Sequence, residues 1–130
     1  MSDLSPGLSA EIEITVTEAD TAARWGSGLV PVYSTPALVG LMESAAVQAL
    51  AGHLSEGQTT VGGRIDVHHL APTPVGMRIW ARAELVEVQG RQLTFHVQAR
   101  DEVETIGQAI HERFIVDEGR FMSKVQAKQN

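Results

Sequence analysis

The segment that most constrains this chain is PALVGLMESAAVQALAGHL, residues 36–54, about five helical turns rich in Ala, Leu and Met. Ser34 or Thr35 can cap its start, and Pro36 suits a first turn. Leu38, Val39, Leu41, Met42, Ala45, Ala46 and Leu50 surround it on most sides, which is the pattern of a helix that something wraps. A sheet is the natural wrapper, and the remaining sequence supplies one. Ile12, Ile14 and Val16 alternate with Glu11, Glu13 and Thr15, predicting a half-buried strand over residues 10–17. Four more strands are expected after the helix, near 59–70, 77–88, 91–101 and 104–117; in the third of these Leu93, Phe95, Val97 and Ala99 mark the inward face. Gln89-Gly90 reads as a hairpin loop, and Pro72, Thr73, Pro74 and Gly76 as a longer turn that no central strand could hold. The expected class is α+β: one long central helix wrapped by an antiparallel sheet of about five strands.

With 130 residues the chain fits one domain. Residues 1–9 are expected to be a flexible lead-in, 10–125 the domain, and 126–130 a polar tail that frays. Between them, Ala19 to Tyr33 reads as a loop that packs, because Gly26, Gly28 and Pro31 interrupt Trp25, Leu29, Val30 and Tyr33. No run approaches the roughly 20 apolar residues that span a bilayer, and Met1 to Ser9 has no apolar signal core, so a cytoplasmic protein without membrane partners is expected. The absence of cysteine excludes disulfides, a thiolate nucleophile and cysteine-held metals. A net charge of -6 argues against nucleic acid as a partner, though not against a single anionic ligand.

Three ionisable or polar groups look out of place. Glu43 is the only ionisable side chain between Pro36 and Gly52, one turn from Val39, Gly40, Ala46 and Val47. A carboxylate there either borders a solvent-facing seam or caps a loop, or it belongs to a functional site. In VGGRIDVHHL the alternation of a strand puts Ile65, Val67 and His69 on the face toward the helix, and Arg64, Asp66 and His68 on the other. His69 then points toward Glu43, either as a satisfied core histidine or as a group for proton transfer. Thr35, eight residues before Glu43, is either the cap of the helix or a hydroxyl at an oxyanion-binding helix start. Gly62-Gly63 marks a bulge or a close approach of backbone to ligand. No metal site is expected, since the five histidines show neither a His-x-His nor an HExxH spacing. Gly26-Ser27-Gly28 lacks the remaining residues of a phosphate loop.

Three segments, VYSTPALVGLMESAAVQAL, VGGRIDVHHLAPTPVGMRIWARAELVEVQGRQLTFHVQARD and IGQAIHERFIVDEGRFMSKV, resemble the fluoroacetyl-CoA thioesterase group of the hotdog fold. The resemblance runs from about Val32 to Val125. It implies catalytic roles for Thr35, Glu43 and His69, and a thioester pocket at Gly62. In that family a phenylalanine-bearing lid favours the fluorinated acyl group; RWGSGLVPVY has no Phe and puts Leu29 in its place, with Trp25 beside it. The resemblance therefore implies hydrolysis of a small acyl-CoA to free acid and CoA without carrying over a fluoroacetyl preference, and the loop's place directly before Thr35 puts Trp25 and Leu29 at the acyl group. It requires no cofactor beyond the coenzyme A of the substrate, for whose phosphates Arg64, Arg78, Arg82, Arg91 and Arg113 are candidates. A hotdog enoyl-CoA hydratase or dehydratase, or a non-catalytic acyl-CoA binding protein, would share the fold. Free sheet edges imply a homodimer or a dimer of dimers.

Overall fold

The computed structural model describes residues 4–129. In chain order it contains β1 (Ser9–Thr15), a 3-10 turn (Glu18–Asp20), a short α1 (Ala22–Trp25) and the long α2 (Thr35–Ala49). Then come β2 (Gln58–His69), β3 (Arg78–Gln89), β4 (Gln92–Asp101), β5 (Thr105–Asp117) and α3 (Glu118–Gln126), closed by a 3-10 turn (Ala127–Gln129). The strands form one antiparallel sheet in the order β1-β3-β4-β5-β2, so β1 and β2 are its two edges.

The alternation read from the sequence is the alternation that builds the core. Ile79, Ala81, Ala83 and Leu85 of β3 and Leu93, Phe95, Val97 and Ala99 of β4 are buried beneath α2, which contributes Leu38, Leu41, Met42, Ala45, Ala46 and Ala49. Alanines on both surfaces let helix and sheet approach closely. At Gly107 of β5 the approach leaves no room for a side chain: a Cβ there would stand 2.9 Å from Leu38 Cδ2 and 3.2 Å from Met42 Cε. This is the hotdog arrangement, a long helix wrapped by a five-stranded sheet.

Four boundaries differ from expectation. The helix ends at Ala49 rather than near Leu54, because Gly52 turns the chain through a left-handed conformation, φ 82°. The lead-in docks well before residue 9: Leu4 and Leu8 pack on the core, and Gly7 N–H donates to Leu85 O at 2.8 Å. Residues 1–3 and Asn130 lie outside the described part. The polar end continues as α3 and its closing turn, with Glu118 N–H bonded to Gly57 O at 2.9 Å. The loop before α2 packs only at its ends, where Thr21, Ala22 and Tyr33 are buried, while Trp25 and Leu29 are 54% and 97% exposed.

Candidate active site

The start of α2 carries the first half of the site. Ser34 is the N-cap, its hydroxyl accepting from Ala37 N–H at 3.2 Å, and this leaves the neighbouring Thr35 hydroxyl for another partner. That partner is His69: Thr35 Oγ1 and His69 Nδ1 are 2.7 Å apart. His69 closes β2 on the helix-facing side, and its Nε2 is buried without a hydrogen-bonding partner. Burial holds the imidazole below its ordinary basicity, with the Ala71 backbone opposing that shift. The ring therefore stays neutral, and able to accept a proton, through the physiological range. Thr35 and His69 line a cavity of about 280 Å³ together with Ser27, Val32 and Tyr33. Pro36 has no N–H, and Ala37 and Leu38 already donate to Ser34, so the backbone donor that the helix start offers is that of Thr35.

Glu43 lies two turns farther along α2, about 12 Å by helical rise. Its side chain is 42% exposed, and Oε2 stands 3.5 Å from Nη1 of Arg113, whose own side chain is only 7% exposed. Gly62 passes directly over this pair, since a Cβ there would come within 2.7 Å of Glu43 Oε2. The bulge in β2 makes that possible. Gly62 and His69 are an odd number of residues apart and would face opposite sides of a regular strand, but the register slips by one between Gly62 and Arg64. Gly62 pairs with inward-facing Arg113 and His69 with Gly107, so both look toward the helix. Of the two readings of Gly62-Gly63, the bulge is the one present, and what the Gly62 backbone approaches is the Glu43 side chain.

The structure thus separates what the sequence expected to converge. Thr35 meets His69, Glu43 meets Arg113 and Gly62, and among the described residues no hydrogen bond or ion pair joins the two groups within one chain. His68 projects to the opposite face with Asp66, 3.5 Å away, as strand alternation requires. Trp25 and Leu29 stand at the exposed loop tip and do not line the cavity beside Thr35. Arg113, grouped by sequence with surface arginines that could meet coenzyme A, is buried with its donors engaged by Thr60, His111 and Glu43. Sequence reasoning passed over His111 and Arg113 as a pair. The available signal was their parity: they occupy the inward positions of β5 between Ala109 and Ile115. No cluster of three or more His, Asp or Glu among the described residues is arranged to hold a metal ion.

A helix start with a paired hydroxyl and imidazole, and a carboxylate two turns on, on a hotdog scaffold, fit an acyl-CoA thioesterase. The comparisons agree. A family model described as fluoroacetyl-CoA-specific thioesterase matches residues 16–119. A fluoroacetyl-CoA thioesterase of Streptantibioticus cattleyicolor is 42% identical over 97 residues, covering 75% of this chain and 70% of that protein. A crystal structure of a point mutant of a fluoroacetyl-CoA-specific thioesterase superposes with a TM-score of 0.91 at 33% identity, covering 98% of this chain and 99% of that one. A thioesterase superfamily member from Thermus thermophilus gives a TM-score of 0.92 at 27% identity, covering 99% and 96%. The chain belongs to the fluoroacetyl-CoA-specific thioesterase family.

Proposed function

We propose that this protein hydrolyses a small acyl-CoA thioester to the free acid and CoA at a site completed by two copies of the chain. The observation that carries the reading is the 2.7 Å contact of Thr35 with a His69 kept neutral by burial, beside a cavity and with Glu43 on the same helix. In the reaction, water adds to the carbonyl carbon, the C–S bond breaks and the thiolate of CoA takes up a proton. Glu43 removes the proton from water, or attacks first and forms an anhydride that water opens. His69, oriented by Thr35 and neutral, shares in activating the water, and the proton taken from that water is the one the departing sulfur receives. The Thr35 amide and the Gly62 backbone face the oxyanion, where a donor is worth about 3 to 4 kcal/mol in comparable sites. Two of the relatives are named for fluoroacetyl-CoA; the loop before α2 has Leu29 and no phenylalanine, which favours an ordinary short acyl group here.

The topology supplies the argument for two copies. β2 is a sheet edge, and along it Gly62 marks the Glu43 end while His69 marks the Thr35 end. Pairing two β2 edges antiparallel about a two-fold axis reverses one against the other, setting Gly62 of one copy opposite His69 of the second. Residues directly opposite in such a pair face the same side, so Glu43 of one copy comes to the Thr35–His69 pair of the other. The proposed protein is thus a homodimer, or a dimer of dimers. No helix among the described residues is long and apolar enough to cross a membrane, and the compartment we propose is the cytoplasm, with no membrane or nucleic-acid partner and no cofactor apart from the substrate's CoA.

A panel of short acyl-CoA thioesters assayed for thiol release tests the activity. Turnover of at least one is expected; hydration of enoyl-CoA without thiol release, or CoA binding without turnover, would replace this reading with the hydratase or the binding protein.

A further inference from the structure

Beneath Glu43 lies a buried polar cluster in which the hydrolytic scheme uses only the carboxylate. Its centre is His111 on β5, 1% exposed. Nδ1 of His111 is 2.7 Å from Arg64 O, a carbonyl that can only accept, so Nδ1 carries the ring proton. Nε2 is 3.1 Å from Nη1 of Arg113, a group that can only donate, so Nε2 presents its lone pair. The neighbours thus fix both the neutral state and the tautomer of the ring. Arg113 is held on its other sides by Thr60: Nε donates to Oγ1 at 2.9 Å and Nη2 to the carbonyl at 3.1 Å. One Nη1 hydrogen remains, and it faces Glu43 Oε2 at 3.5 Å.

We propose that His111 is a positioning residue for Glu43: as a neutral acceptor it anchors Nη1 of Arg113, and the anchored guanidinium fixes the carboxylate beneath Gly62. The inference rests on the reading of Glu43 as base or nucleophile. Packing alone does not account for the cluster, because Ala109 and Ile115 occupy the flanking inward positions of the same strand, and apolar residues of like volume stabilise such a core at least as well as a buried polar set. A protonated ring could not accept from Arg113 and would set cation against cation. Burial, and after it the Arg113 charge, lower its basicity, while the hydrogen bond to the Arg64 carbonyl of β2 and the charges of Glu43 on α2 and Glu112 on β5 act in the opposite direction; Phe95 of β4 offers an uncharged ring 6.3 Å away.

The test compares His111→Leu, which removes the acceptor, with His111→Gln, which keeps one donor and one acceptor and cannot titrate. With the acyl-CoA that the wild type turns over best, His111→Leu is expected to lower kcat by about tenfold or more with KM within about threefold, since a misplaced catalytic group costs up to about a hundredfold. His111→Gln is expected to recover kcat to within about fivefold of wild type. An unimpaired His111→Leu, a loss confined to KM, or a Gln variant no better than Leu would overturn the assignment. Long-range ¹⁵N correlation spectra of the histidine rings in the wild type decide the same question without turnover, even where a variant fails to fold. A proton on Nδ1 of His111 at neutral pH is expected, and a proton on Nε2 or a charged ring would overturn the proposal. A wild type that releases no thiol from any substrate would sink the thioesterase reading, while the ring spectrum still judges whether His111 holds Arg113.

Discussion

His68 and His69 are adjacent in sequence and opposite in space, which makes them a matched pair for testing the site. His69→Ala and Glu43→Ala are each expected to lower kcat by at least about a hundredfold, the low end of what a general acid or base contributes, whereas His68→Ala stays within a few fold. Residues acting as one unit are not additive, so the Glu43/His69 double variant should be little worse than the poorer single variant. Circular dichroism of each variant must show retained folding; a damaging His68→Ala with a harmless His69→Ala would refute the face assignment. The buried imidazoles also make stability depend on pH. Both His69 and His111 bind a proton less readily in the fold than at the ordinary histidine value of 6.5, so below that value the unfolded chain holds more protons and stability falls. A melting temperature that decreases as pH is lowered from about 7.5 to 5.5, with a shallower slope in His111→Gln, is the expected result. A pH-independent melting temperature would contradict it.

At the scale of elements, the period-2 alternation of residues 91–117 and the apolar belt of 36–50 were enough to read the strands and the helix, because burial on one face is written directly into residue type. Alternation also separated His68 from His69 correctly. It could not place Glu43 against Arg113 rather than His69, since that depends on how far along α2 each strand crosses and on a bulge whose position Gly62-Gly63 only suggests. Nor could it show that Ser34, not Thr35, takes the cap, because both hydroxyls are equally fit for it in one dimension. The loop before α2 carried the least information: its apolar residues read as packed, yet Leu29 is 97% exposed, a position that nothing in one chain explains. Because so exposed a side chain contributes little to folding, Leu29→Ala and Leu29→Phe should leave the melting temperature nearly unchanged. If this loop walls the acyl pocket, the same variants reorder the preference among short acyl-CoA substrates, measured as kcat/KM across the panel. An unchanged rank order would remove the loop from the pocket.

For the whole molecule, the separation of Thr35–His69 from Glu43 within one chain is the feature with the widest consequence, and it allows a test that no single variant provides. In a site drawn from two copies, a dimer of one Glu43→Ala chain and one His69→Ala chain contains one site with both defects and one with neither. Mixing the two inactive variants under conditions of subunit exchange should therefore restore activity, toward roughly a quarter of the wild-type level if chains pair at random, since half the dimers then carry one intact site of two. In a site built within one chain, every site of every mixed dimer keeps one defect and the mixture stays inactive. Light scattering should first give a mass above the 14.0 kDa of one chain. A monomer at working concentration, or a dimer whose mixed variants never regain thiol release, would mean that β2 does not join the copies in the proposed register, and that Glu43 must reach His69 by a movement of α2 against the sheet.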